Sequence, residues 1–156
     1  MKIKKYNYLI ASFSGLILLG LDILTKYLVI QPFYKPVTFI KNFLYLTNVQ
    51  KNSGIAFGIK LPIWLQIIGS IIILVLLFRF ADQYFFSKNK RQFLKPILFG
   101  IIIGGAIGNL INRIFQGYVV DFIVLKPIPV FNIADIGITV GFIALLVLSL
   151  FGEKKL

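Results

Sequence analysis

Four stretches of this chain are almost continuously apolar and long enough to cross a bilayer, and that feature limits its fold more than any other. A spanning helix needs about 20 mostly apolar residues at about 1.5 Å rise each. Leu9 to Ile30, Leu61 to Phe80, Leu94 to about Ile114 and Ile133 to Phe151 meet or nearly meet that requirement. Composition points the same way. Charged residues make up 14% of the chain, against about 25% in soluble domains, too few to build a soluble shell. The expected fold class is an α-helical polytopic membrane protein with four transmembrane helices. It is expected to form a single membrane domain over residues 1–156, with spans at about 9–30, 61–80, 94–114 and 133–151.

Met1-Lys-Ile-Lys-Lys5 resembles the basic head of a secretory signal. No small-residue cleavage site follows and the apolar run is too long, so the segment should stay as an uncleaved first helix. The second span carries almost no polar residue, which makes it the expected lipid-facing scaffold. Basic residues set the orientation. Lys2, Lys4, Lys5, Arg79, Lys88, Lys90, Arg91, Lys95, Lys154 and Lys155 flank one side. Lys35, Lys41, Lys51, Lys60, Arg113 and Lys126 are spread more thinly over the other. Both termini are therefore expected in the cytoplasm, with extracytoplasmic loops at 31–60 and 115–132. Within the first loop, Pro36 to Val49 is rich in β-branched and aromatic residues around a Lys-Asn turn and predicts two short strands. Tyr118 to Leu125 predicts a third, closed by Lys-Pro-Ile-Pro. A small β-rich layer on the outer membrane surface follows, with Trp64, Tyr34 and Tyr45 suited to the interfacial belt.

The residue inventory excludes much chemistry. Cys 0 removes disulfides, zinc thiolates and thiol nucleophiles, and His 0 removes Ser-His-Asp triads and histidine metal sites. No metal and no cofactor is expected. The net charge of +12 suits cytoplasmic loops against anionic lipid, and the scattered basic residues make no nucleic-acid stripe. Only five carboxylates exist. Asp82 and Glu153 read as solvated charges, which leaves Asp22, Asp121 and Asp135 as candidates, since ionisable groups in or beside a span are costly.

Asp22 and Lys26 share one helix face near the outer end of the first span. They read as an ion pair with Lys26 reaching toward the headgroups, or as half of a Ser-Lys dyad with Ser53. Asp121 follows the third span and Asp135 opens the fourth. Antiparallel helices can bring the two acids together, where close carboxylates share a proton and divide the roles of base and acid. Blander readings remain open. Asn132 with Asp135 would make a capping-box-like helix start, and Asp121 could be a loop charge paired with Arg113 or Lys126. Asn109 and Arg113 lie on one face of the third span, beyond the small residues Gly104 to Gly108 that permit close packing. Arg113 could snorkel to lipid phosphate or brace the loop carrying Asp121. Asn52-Ser-Gly-Ile-Ala-Phe-Gly58 reads as a turn or as backbone offered to an extended peptide.

Five segments in order resemble the motifs of the bacterial lipoprotein signal peptidases (signal peptidase II). These are Asp22-Ile-Leu-Thr-Lys26, Asn52-Ser-Gly-Ile-Ala-Phe57, Gly104-Gly-Ala-Ile-Gly-Asn-Leu-Ile-Asn-Arg113, Val119-Val-Asp-Phe-Ile123 and Phe131-Asn-Ile-Ala-Asp135. The resemblance implies an intramembrane aspartyl endopeptidase that cuts diacylglyceryl-modified prolipoproteins before the lipidated cysteine. It implies a bacterial cytoplasmic-membrane location, with the active site near the extracytoplasmic face. By the same match Asp121 and Asp135 would be catalytic. Asn52, Gly54, Asn109, Arg113, Asn132 and Ala134 would shape the substrate site, and Asp22 and Lys26 would support it. Asn112 departs from the pattern, standing where the family usually has aspartate, so a charge partner of Arg113 is lost or replaced by an amide hydrogen bond. Expected partners are prolipoprotein substrates and membrane lipids, with no nucleic acid, and the chain is expected to act as a monomer. The competing classes are a small proton-coupled transporter using Asp22, Asp121 and Asp135, and a non-catalytic lipid-binding scaffold.

Overall fold

The computed structural model describes residues 2–55, 59–81, 86 and 93–151. Asp82 and Glu153, basic residues Lys88, Lys90, Arg91, Lys154 and Lys155, and Ala56 and Phe57 of the second motif lie outside the described residues. In chain order the elements are α1 (Lys2–Ile30), β1 (Val37–Ile40), β2 (Leu44–Asn52), α2 (Ile63–Phe80), α3 (Leu94–Gln116), β3 (Val119–Leu125) and α4 (Ile133–Phe151). All four helices are long and apolar enough to cross a membrane.

Helix boundaries follow local chemistry. The basic head ahead of Leu9 contains no helix breaker, so α1 runs back to Lys2, beyond the apolar stretch. Pro62, with φ −51° and ψ 138°, is the N-cap of α2, which therefore starts at Ile63 rather than Leu61. Gly117 ends α3 in the left-handed region at φ 74°, its N–H donating to the Arg113 carbonyl at 3.2 Å. A side chain there would be strained. That turn sends the chain directly into β3.

The central helix is α3, which packs against α1, α2 and α4. Its small residues permit the close approach expected of them. A Cβ on Gly105 would sit 2.7 Å from the Ala134 carbonyl oxygen of α4, and one on Gly108 would collide with the Asp22 carboxylate of α1. By contrast, Gln66 is the only buried residue of α2, in keeping with a lipid-facing scaffold.

The three strands form an antiparallel sheet in the order β1-β2-β3. The β1–β2 hairpin turns through Asn42 at φ 60°, a conformation that asparagine tolerates better than most residues. Registering Gln50 opposite Asp121 and Asn52 opposite Val119 puts the Asn52 and Asp121 side chains on one face of the sheet. All of β3 except its last residue is buried. Val120, Phe122 and Ile123 cluster with Val29 of α1, and Tyr34 packs against them. Phe131 pairs back onto Ile123 through N–H···O bonds of 2.8 and 3.0 Å. This bridge sets Asn132, and with it the start of α4, against the strand that carries Asp121.

Candidate active site

Asn132 is fully buried at the joint between β3 and α4 and bonds to both acids. Its Oδ1 accepts the Asp135 N–H at 3.0 Å, while the Asp135 Oδ2 accepts the Asn132 N–H at 3.1 Å. This is the reciprocal capping box expected at that helix start. The same side chain turns its Nδ2 to the Asp121 Oδ1 at 2.7 Å, and to carbonyl oxygens of Asn109 at 3.1 Å and Val120 at 3.3 Å. Asp121 accepts a second bond through Oδ2, from Asn52 Nδ2 at 2.8 Å. Asp135 accepts its second through Oδ1, from Asn109 Nδ2 at 2.8 Å. Capping and acid pairing were competing readings of Asp135; the fold uses the residue for the cap while its carboxyl also shares a cavity with Asp121.

That cavity measures about 450 Å³ and is lined by Asp121, Asp135, Asn52, Gly54, Asn109 and Arg113, with Lys51, Ile55, Thr139 and the 128–131 segment closing its sides. Asp121 is 1% exposed. Burial drives its carboxyl up to about 6; the neighbouring Asp135 charge adds to the rise, and the Asn52 and Asn132 bonds oppose it.

Behind the acids lies a polar support inside the helix bundle. Lys26 donates to the Asp22 Oδ2 at 2.7 Å and to the Asn109 Oδ1 at 3.0 Å. At 3% exposure it does not reach the headgroups as the sequence reading expected, because both of those acceptors lie within the bundle. The other Asp22 oxygen accepts the Ala134 N–H at 3.0 Å, so Asp22 satisfies an orphan donor in the first turn of α4. Gly54 donates its N–H to the Asn52 Oδ1 at 3.0 Å, fixing the amide that holds Asp121. Arg113 makes its side-chain bond to Gln66, Nε to Oε1 at 3.0 Å, and not to Asp121. Asn112 accepts the Val120 N–H at 3.3 Å, a hydrogen bond that braces β3, so its amide serves the strand. Ser53 is exposed and offers its backbone carbonyl to Gln66, while the Lys26 ammonium is held by Asp22 and Asn109. That geometry does not form a Ser-Lys dyad.

Two carboxyls opening into one cavity, one of them shifted upward, are equipped to activate water and to protonate a carbonyl oxygen. Comparison with known proteins agrees with that chemistry. The family described as Signal peptidase (SPase) II, Peptidase A8, matches residues 15–151. The chain belongs to the signal peptidase II family. It is 39% identical over 146 residues to the lipoprotein signal peptidase of Syntrophomonas wolfei, covering 91% of this chain and 93% of that one. It is 40% identical over 142 residues to that of Halothermothrix orenii, covering 90% and 94%. Its fold matches a bacterial membrane enzyme solved by the in meso method at 2.3 Å resolution, with TM-score 0.77 and 28% identity over 94% of this chain and 93% of that one.

The chain is thus a bacterial membrane protein and an aspartic peptidase of the signal peptidase II type, and the transporter and scaffold readings give way. Sequence reading missed Gln66, which holds the cavity-lining Arg113 from α2. A lone amide in an otherwise apolar span was the available signal. It also missed Thr139, one turn along α4 from Asp135, and the cap that Asp22 supplies to α4.

Proposed function

We propose that the chain removes the signal peptide of diacylglyceryl-modified prolipoproteins before the lipidated cysteine, with Asp121 and Asp135 as the catalytic pair. Lipoprotein signal peptidase activity follows from its family and from relatives that are about 40% identical over about 90% of the chain. The observation that carries the catalytic assignment is the opening of both carboxyls into one cavity, joined through Asn132.

Asp135 acts as the general base. It sits in the first turn of α4, where its Oδ2 accepts the Asn132 N–H at 3.1 Å and its Oδ1 faces the Asn109 amide. It takes a proton from water, and the water oxygen attacks the scissile carbonyl. Asp121, raised to about 6 by burial, is the neutral acid that protonates the carbonyl oxygen. Collapse of the tetrahedral intermediate breaks the C–N bond as the proton gained by Asp135 passes to the leaving amine and a hydroxyl proton of the intermediate returns to Asp121, which restores both acids. No covalent enzyme intermediate forms. Asn52, Gly54, Asn109, Asn132 and Ala134 hold the acids and shape the groove, Asp22 and Lys26 support them from within the bundle, and Arg113 binds the peptide.

The whole chain works as one membrane domain, a reading supported by a cavity lined from β2, α3, β3 and α4 alike, and it acts as a monomer. Both termini lie in the cytoplasm and the acids lie near the extracytoplasmic face, as the distribution of basic residues supports. The substrate's acyl chains stay in lipid while its peptide runs extended across the acids. Purified protein in nanodiscs, given a diacylglyceryl-modified precursor peptide and its unlipidated twin, tests this reading. Cleavage before the lipidated cysteine, confined to the lipidated peptide, is expected. An uncut lipidated peptide would refute the reading.

A further inference from the structure

Gln66 lies in the first turn of α2, a helix whose other residues are not buried. A carboxamide facing hydrocarbon costs several kcal/mol unless its hydrogen bonds are made, and here both N–H donors and the oxygen are engaged. Its Nε2 donates to the Leu61 carbonyl at 2.8 Å and to the Ser53 carbonyl at 2.9 Å. Its Oε1 accepts from the Arg113 Nε at 3.0 Å. One side chain therefore ties three parts of the molecule together.

Two of those parts belong to the cavity. Ser53 directly follows Asn52, whose amide holds Asp121. Arg113 lines the cavity itself. With Nε committed to Gln66, the donors left on the guanidinium are those of its two terminal nitrogens, and the planar fork cannot rotate about its stem without breaking the Gln66 bond. A freely rotating arginine would lose side-chain entropy on meeting substrate; one already held loses less.

We propose that Gln66 is a positioning residue for peptide cleavage. It fixes the Arg113 fork so that the terminal nitrogens meet carbonyl oxygens of the extended substrate, and it holds the chain beyond Asn52 against the site. This rests on the peptidase reading above. Gln66 touches neither reacting atoms nor the acids, so its effect passes through Arg113 and Ser53.

The test is a mutant cycle in nanodiscs on the diacylglyceryl-modified precursor peptide. Gln66→Met keeps the length and removes every hydrogen bond, while Gln66→Glu keeps an acceptor for Arg113 and loses the donors. Displacing a positioned group by about 1 Å costs on the order of 10²-fold. Gln66→Met is therefore expected to lower kcat/KM by roughly 10–100-fold, with an unfolding temperature close to wild type. Gln66→Glu is expected to recover most of that loss. In an Arg113→Ala background, Gln66→Met should cost clearly less than it does alone, since the Arg113 share of its effect is already gone and only the Ser53 share remains. Wild-type rates in Gln66→Met, or losses that multiply in the double mutant, would overturn the proposal. If Gln66→Met does not fold, a folded Gln66→Glu as slow as Arg113→Ala overturns it, and one near wild type supports it. Failure of the wild-type protein to cut the peptide would instead count against the peptidase reading.

Discussion

Asn132 joins helix start and acid pair, and substitutions there can separate the two roles. Its Oδ1 caps α4 through the Asp135 N–H at 3.0 Å, and its Nδ2 reaches the Asp121 carboxyl at 2.7 Å. Losing an N-cap side chain costs about 1 kcal/mol. Leaving a buried acceptor without its hydrogen bond costs about 1–3 kcal/mol. Asn132→Ala should therefore destabilise the protein by about 3 kcal/mol. Asn132→Ser retains a hydroxyl acceptor for the cap, so about 1 kcal/mol should return. Activity should not return with it. Both variants leave Asp121 without its bond from β3's neighbour, and each is expected to cut the lipidated precursor about 10²-fold more slowly. The Asn132 bond holds the Asp121 carboxyl lower than burial alone would leave it. Its removal should move the upper limb of the pH–rate profile to higher pH. Thermal unfolding in detergent gives the first quantity, and discontinuous cleavage assays between pH 4 and about 9 give the other two. An Asn132→Ser protein with wild-type rate and profile would refute the argument that this amide positions the acids.

Other expectations concern single features of the site. Since Asp121 is protonated below about 6 and ionised above, kcat/KM of the free enzyme should fall as pH rises through that region, the apparent value belonging to the coupled pair; a profile flat through pH 6 would contradict the assignment. Gly108→Ala drives a methyl group into the Asp22 carboxylate, so it should lower both stability and activity, whereas a silent Gly108→Ala would show that α1 and α3 can separate there. Lys26→Met leaves Asp22 buried without its partner, a loss of about 3–5 kcal/mol visible in thermal unfolding. Ser53→Ala, by contrast, should cleave at the wild-type rate, and loss of cleavage in a folded Ser53→Ala would return the Ser-Lys dyad to consideration.

Much of this was legible before any coordinates, for physical reasons. Spanning helices are set by apolar length, and the hairpin by β-branched residues on either side of a turn at Lys41 and Asn42. The acid pair stood out because a chain with five carboxylates leaves few candidates. What was not legible depends on which donor meets which acceptor across the bundle. Lys26 could reach the headgroups as easily as Asn109 until the packing of α1 on α3 was known. Arg113 had lipid, Asp121 and Gln66 all within the reach of a long side chain. Asp22 reads from sequence as the partner of Lys26, because an i, i+4 pair is local; its bond to Ala134 joins helices at opposite ends of the chain.

The central claim is that two carboxyls and water perform the cleavage, and the single Asp→Asn variants test it most directly. Asparagine keeps the size of each side chain but can neither accept a proton from water nor give one to the carbonyl. Asp121→Asn and Asp135→Asn, purified in nanodiscs and shown to be folded by their melting behaviour, should each cut the diacylglyceryl-modified precursor at least about 10²–10⁴-fold more slowly than wild type. Cleavage near the wild-type rate by either folded variant would contradict the account.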